Sequence, residues 1–338
     1  MNTVPLAGRR LVFPQVRDVT LEPFSPASPK DGEVLVETSC TQLSTGTETI
    51  IYNRKFDAGT HWDRWVRYPF FPGYAAAGWV LATGRDVKQF KPGDRVAWRG
   101  NHASHAVVPA GELYPVPNQV KLDEAVWFAL AKIAGHGVRA ARIALGETVA
   151  IIGAGPVGQM AIRWALIDGA TKVLSVDMAE PRLRLAASAG ASAVRAPADE
   201  AGPLIEKATG SRPRVVIDST GNAAVLKAAL GWVATEGTVV LLGDTGTPAG
   251  QTLTSDVVSR GLTLVGAHDS RNSPEWNNAV AADRFFACVR SGRFPLAGIT
   301  THHFVPEQCR ELYTLATDDR VNTMGLLIDW KRETGTAG

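Results

Sequence analysis

The stretch TVAIIGAGPVGQMAIRWALIDGATKVLSVDMAEPRLRLA, Thr148 to Ala186, decides the fold. An apolar run, Val149 to Ile152, enters Gly153-x-Gly155-x-x-Gly158, which opens a helical stretch; a second apolar run then ends in Asp177. Each glycine has its own task. Gly153 permits a tight turn, Gly155 lets a pyrophosphate approach the backbone, and Gly158 lets the helix pack closely. The helix opened by Pro156 and Val157 offers its unpaired N–H groups to the phosphates. Asp177 lies 24 positions beyond Gly153. A carboxylate there accepts bonds from the adenosine ribose diol and repels a 2′-phosphate, which favours NAD over NADP; a helix-capping acid is the plainer alternative. Arg182, one turn into the next helix, joins the cofactor set as a cation that tolerates phosphate, although arginines there also simply face solvent.

Further apolar runs at 192–194, 214–218, 238–242 and 262–265 alternate with helical patterns such as NAAVLKAALGWVA. Together with 149–152 and 172–176 they predict a doubly wound, six-stranded parallel sheet built from two mononucleotide-binding halves. The fourth and fifth runs end in DSTG (Asp218–Gly221) and LLGDTG (Leu241–Gly246). Ligands bind at the carboxyl ends of such strands, so Ser219, Thr220, Gly243 and Asp244 are expected against the nicotinamide half of the cofactor. Ordinary strand-to-helix turns are the alternative.

Ahead of the sheet, residues 9–22 and 33–39 alternate apolar and polar side chains, with a turn expected at Pro23, Pro26 and Pro29. Further short runs broken by Gly and Pro predict a barrel-like β domain over 1–125, followed by the cofactor domain over 126–268. Residues 269–338 are expected to return to the β domain through MGLLIDW. The aromatic segment HWDRWVRYPFFPGY, residues 61–74, reads either as a pocket wall for a bulky or cyclic substrate or as the core of a small β domain.

Composition narrows the function. Of 338 residues, 35 are Lys or Arg and 33 are acids, with no basic run, which speaks against nucleic acid and anionic membrane as partners. The apolar runs are strand-length, too short for a bilayer span. Cys40, Cys288 and Cys309 form no CxxC, and no secretory leader is read at the N-terminus, so a cytoplasmic setting is expected.

FKPGDRV at Phe90–Val96, DSTG followed by VVLLG, and LSTGTE at Leu43–Glu48 resemble the medium-chain dehydrogenase/reductase family over nearly the whole chain. In motif the resemblance is closest to the branch containing bacteriochlorophyllide dehydrogenase. It implies a GroES-like catalytic barrel, a Rossmann cofactor domain, and a homodimer joined through the sixth strand. Zinc members of the family carry a cysteine before a triplet that Gly46-Thr47-Glu48 resembles; that cysteine position falls on Ser44 or Thr45 here. Their glycine-histidine-glutamate motif corresponds to Gly73-Tyr74-Ala75, and no cysteine lies between Arg95 and His105. His61, Glu48, His102 and His105 are the nearby coordinating candidates. In a strand, the His102-x-x-His105 spacing sends the two rings to opposite faces, so no metal is expected.

The alcohol proton is then left to side chains. The resemblance implies a relay hydroxyl at Thr47, and Tyr74 stands where the metal would sit, as participant or as filler. Glu48 and His61 complete the catalytic candidates, with His102, Lys132 and His136 in reserve. The resulting expectation is a zinc-independent, NAD-dependent oxidoreductase acting on a bulky secondary alcohol or its ketone. The alternatives are a reductase of activated C=C bonds and a non-catalytic NAD-binding redox sensor.

Overall fold

The apolar runs that follow residue 147 become parallel strands: Thr148–Ile152, Lys172–Asp177, Ser192–Arg195, Val215–Asp218, Thr238–Leu241 and Thr263–Gly266. Numbered along the chain, they lie in the spatial order 3-2-1-4-5-6. The order reverses between Thr148–Ile152 and Val215–Asp218, and a ligand crevice opens beyond the carboxyl ends of strands at such a point. The computed structural model describes residues 7–331.

Strand periodicity explains why both faces of this sheet are apolar. Val149, Ile151, Val173, Val215, Ile217 and Val240 join one buried cluster, while Ala150, Ile152, Leu174, Val176, Val216 and Val239 join another. Successive residues point to opposite faces, so a strand covered on both sides must be apolar throughout. Helices Phe128–Ala141, Pro156–Ile167 and Asn278–Arg290 contribute to the first cluster; Ala198–Thr209 and Ala223–Trp232 contribute to the second. Two of these helices begin with side-chain caps. Asn222 accepts from the N–H groups of Ala224 and Val225, and Asn277 accepts from that of Val280.

The β domain is organised on the 11-residue strand Glu33–Leu43. It pairs antiparallel with Ala76–Thr83, His105–Pro109 and the C-terminal strand Gly325–Asp329. Thr300–Phe304 lies parallel to Gly325–Asp329. The 9–22 region resolves into two strands, Gly8–Val12 and Thr20–Phe24, paired with each other. Pro23, expected in a turn, lies in the second of them, which is tolerated because a two-stranded ribbon is all edge.

Residues 269–331 divide between the two cores rather than returning to the β domain as one segment, and 332–338 lie outside the described residues. Trp276, Phe285, Phe286 and Phe294 pack into the core of the parallel sheet's helices, with the Trp164 ring 4.9 Å from Phe294 and 5.9 Å from Trp276. Phe304, Leu312, Tyr313, Leu326 and Ile328 belong instead to the β domain's core. The reason is the apolar face of Asn278–Arg290, with Ala281, Ala282, Phe285 and Phe286 buried together.

Candidate active site

The glycine loop adopts the geometry its sequence requires. Gly153 has φ +87°, and a Cβ on Gly158 would lie 1.8 Å from the Gly153 carbonyl oxygen. A Cβ on Gly155 would meet nothing nearer than Arg182 Nη1 at 3.8 Å, so this backbone is open to a ligand. Pro156 begins the helix Pro156–Ile167, and no side chain caps it. Its first N–H groups are therefore available to an anion. Asp177 Oδ2 accepts from the Ala154 N–H (2.7 Å) and Oδ1 from the Ala179 N–H (2.8 Å), which aims the carboxylate at the loop. Arg182 Nη1 stands 3.8 Å from Oδ2. These features fit a dinucleotide.

At the end of the fourth strand, Ser219 Oγ lies 2.9 Å from the carbonyl oxygens of both Ile152 and Gly153 and ties the glycine loop to its neighbour. Asp218 is buried and accepts from the Thr220 N–H (2.8 Å) and hydroxyl (2.7 Å), while burial pushes its carboxyl upward. A Cβ on Gly243 would lie 2.3 Å from the Gly221 nitrogen. That close approach of two turns gives Gly243 a packing reason of its own, beside the expected backbone contact with nicotinamide.

On the β domain, Tyr74 donates to Ser44 Oγ at 2.5 Å, and Thr47 opens the helix Thr47–Asn53 beside them. The phenol is half-buried and pushed up to about 12, chiefly by burial, with the bonds to Ser44 and Thr47 and the charge of Arg99 opposing. The Arg99 guanidinium sits 4.9 Å from the centre of the Tyr74 ring. It pairs with Asp269, as does the buried Lys132 at 2.8 Å.

Glu48 is differently placed from the expectation of a reacting acid. It is 1% exposed, and its oxygens are bonded to the Ser44 N–H (2.8 Å), His102 Nε2 (3.0 Å) and the Tyr313 hydroxyl (2.6 Å). It has no face left for substrate and holds Ser44 from behind. His102 lies outside the strand, which begins at His105, and its Nδ1 is 2.8 Å from Thr41 Oγ1. Both nitrogens of His102 are thus engaged in the core.

The aromatics of segment 61–74 divide: Trp62 is buried, Tyr68, Phe70 and Tyr74 are half-buried, and Trp65 and Phe71 are exposed. Trp62, with Tyr68 and Phe70 partly buried beside it, packs with Phe13, Tyr52 and Tyr313, so the segment supplies part of the β domain's core. His61 is exposed at the start of the helix His61–Trp65, with Nε2 2.8 Å from Asp244 Oδ2. The sequence reading had put these two residues in separate sites, one catalytic and one cofactor-binding. Trp62 Nε1 donates to the Thr245 carbonyl (3.1 Å) and the Asp57 N–H to that of Gly246 (2.8 Å), which clasps the two domains together. Arg99, Asp269 and His268 were missed by the sequence reading, since no local motif marks them.

Catalytic zinc is held by about three Cys, His or carboxylate ligands around an open position. The family position here offers Ser44, Thr45, Tyr74 and Ala75, and the hydroxyls of Ser44 and Tyr74 are bonded to each other. These residues do not fit a zinc ion.

Residues 30–118 match the alcohol dehydrogenase GroES-like domain, and residues 156–283 match the zinc-binding dehydrogenase family. The two matches fall in chain order on the two sheets described above. The chain belongs to the medium-chain dehydrogenase/reductase superfamily. As a member of this superfamily it is an NAD(P)-dependent oxidoreductase of the alcohol-dehydrogenase type, with a GroES-like domain and a Rossmann domain. A sorbitol dehydrogenase from Bombyx mori is 26% identical, covering 88% of this chain and 92% of that one. The 2-desacetyl-2-hydroxyethyl bacteriochlorophyllide A dehydrogenase of Cereibacter sphaeroides is 25% identical, covering 93% and 96%. Identity therefore does not single out the bacteriochlorophyllide branch. An Escherichia coli alcohol dehydrogenase solved with NADH superposes with a TM-score of 0.80 at 19% identity, covering 96% of this chain and 99% of that one. Among the described residues, no helix is long and apolar enough to cross a membrane.

Proposed function

We propose that this medium-chain dehydrogenase interconverts a secondary alcohol and its ketone with NAD and without zinc. The observation that carries the reading is the Tyr74–Ser44 hydrogen bond, with Thr47 alongside, where zinc relatives hold their metal. Bound NAD supplies or accepts the hydride. The chain's own task is the substrate oxygen. A phenol is protonated through the neutral range, and burial pushes that of Tyr74 further up to about 12, so it acts as a donor that polarises a carbonyl and, in the reverse direction, stabilises an alkoxide. When a ketone gains hydride at carbon, the phenol turns its proton from Ser44 Oγ to the substrate oxygen and gives it up there. Ser44 and Thr47 then pass a proton back to Tyr74 from solvent. Glu48 holds the Ser44 backbone and takes no part in the transfer.

Asp177 supports a preference for NAD over NADP, because its carboxylate faces the loop where the adenosine ribose would lie. For a bulky substrate, Trp62 is spent on the core, whereas Trp65 and Phe71 remain exposed. Three free cysteines agree with a reducing cytoplasm, and the terminal strand Thr263–Gly266 offers an edge for a homodimer. The test is turnover in a strong chelator, assayed against a panel of secondary alcohols and ketones. Sustained activity supports the reading; loss on chelation and recovery with zinc overturns it. Reduction of enones with no alcohol turnover would assign the same site to C=C bonds, and binding of NADH with no turnover at all would leave a redox sensor.

A further inference from the structure

The clasp between the domains assembles a second constellation, separate from Tyr74 and Ser44. His61 opens the helix His61–Trp65 of the β domain, Asp244 follows the fifth strand of the parallel sheet, and His268 follows the sixth. One atom from each converges. Asp244 Oδ2 lies 2.8 Å from His61 Nε2 and 3.6 Å from His268 Nε2, and the three ligand atoms are within 4.8 Å of one another.

Zinc bonds to imidazole and carboxylate of about 2.0–2.2 Å put tetrahedral ligand atoms roughly 3.3–3.5 Å apart. The observed separations bracket that spacing, so small side-chain rotations close the site. The backbone beneath is firm: besides the bonds of Trp62 and Asp57, a Cβ on Gly246 would lie 2.0 Å from the Lys55 carbonyl oxygen. His268 Nδ1 accepts from the Ser270 N–H at 3.2 Å and lies 2.8 Å from Ser270 Oγ, which fixes the ring's orientation with Nε2 toward Asp244. All three side chains are exposed, so an ion enters from solvent and a fourth position stays open. A set of two imidazoles and one carboxylate suits zinc, cobalt or nickel better than magnesium or calcium.

We propose that His61, Asp244 and His268 bind one zinc-class divalent cation that staples the β domain to the parallel sheet. The staple is independent of the zinc-free hydride transfer proposed above.

The test uses the full chain stripped of metal and titrated with zinc chloride, read by calorimetry and by thermal unfolding. One ion per chain and a rise in melting temperature are expected. His268→Ala and His61→Ala should each weaken binding by at least about tenfold and abolish the thermal shift. His303→Ala should leave both unchanged, because His303 pairs with Asp329 elsewhere on the β domain. Cobalt chloride should give the visible bands of a tetrahedral site in the wild type and not in His268→Ala. Silent calorimetry, or binding that survives both ligand variants, overturns the staple. If His61→Ala fails to fold, His268→Ala decides. Turnover of the chelated enzyme is measured separately, and its loss would refute zinc-free catalysis without touching the binding result.

Discussion

The Tyr74 phenol donates to Ser44 Oγ across 2.5 Å, joining the two segments that resemble the metal-ligand motifs of zinc relatives. On the proposed zinc-free reading, hydrogen bonds from this pair stabilise charge on the substrate oxygen.

Removing those hydroxyls should therefore act on turnover. Tyr74→Phe and Thr47→Val are each expected to lower kcat more than about tenfold, as loss of a positioned proton donor or relay does. NADH affinity, read by fluorescence titration, should stay nearly constant. Near-wild-type turnover in Tyr74→Phe would make the phenol a filler.

The Tyr74 phenol also predicts a pH effect on stability. Its folded value is pushed up to about 12 from 10, so the folded chain holds the more protons between those values. Stability from this group is complete below about pH 10 and is lost as pH rises toward about 12. Tyr313, also raised by burial and by the Glu48 carboxylate, acts in the same direction. Denaturant midpoints at about pH 9 and about pH 11 should fall further in wild type than in Tyr74→Phe. Equal falls would contradict the assignment.

Glu48 is expected to matter to the fold. Glu48→Ala strands the Ser44 N–H, the Tyr313 hydroxyl and His102 in the interior. Removing one member of a buried charged network costs about 3–5 kcal/mol. Chemical denaturation should show a loss on that scale, whereas a loss below about 1 kcal/mol would mean that the network is dispensable.

Asp177 should make NADH bind at least about tenfold tighter than NADPH, since a lost charge-assisted bond plus repulsion exceeds about 1.4 kcal/mol. Asp177→Ser should weaken NADH and narrow the ratio, because the carboxylate also holds the Ala154 and Ala179 N–H groups. Equal affinities in the wild type would remove the ribose assignment.

The edge strand Thr263–Gly266 carries half-buried Leu264 and Val265 between exposed neighbours. Light scattering is expected to report a dimer, and a 36.0 kDa monomer at micromolar concentration would count against pairing through this edge.

By itself, the sequence determined what depends on neighbouring residues. The six parallel strands, the glycine loop and Asp177 were legible because backbone sterics, pleat alternation and helix-end chemistry act over a few positions. The departure from the zinc motifs was legible for the same reason, at Ser44 or Thr45 and at Tyr74 and Ala75 inside short motifs. Only the tertiary structure decided which polar groups are spent inside the protein and which face the cleft. Glu48 meets Tyr313 across 265 positions, Arg99 meets Asp269 across 170, and His61 meets Asp244 across 183. No local pattern encodes such pairs, because they follow from how the C-terminal strand and helix return to the β domain and how the clasp brings two domains together. The aromatic segment teaches the same lesson. Its composition suits either a pocket wall or a core, and tertiary packing sends Trp62 into the core with Phe13, Tyr52 and Tyr313 while leaving Trp65 and Phe71 exposed.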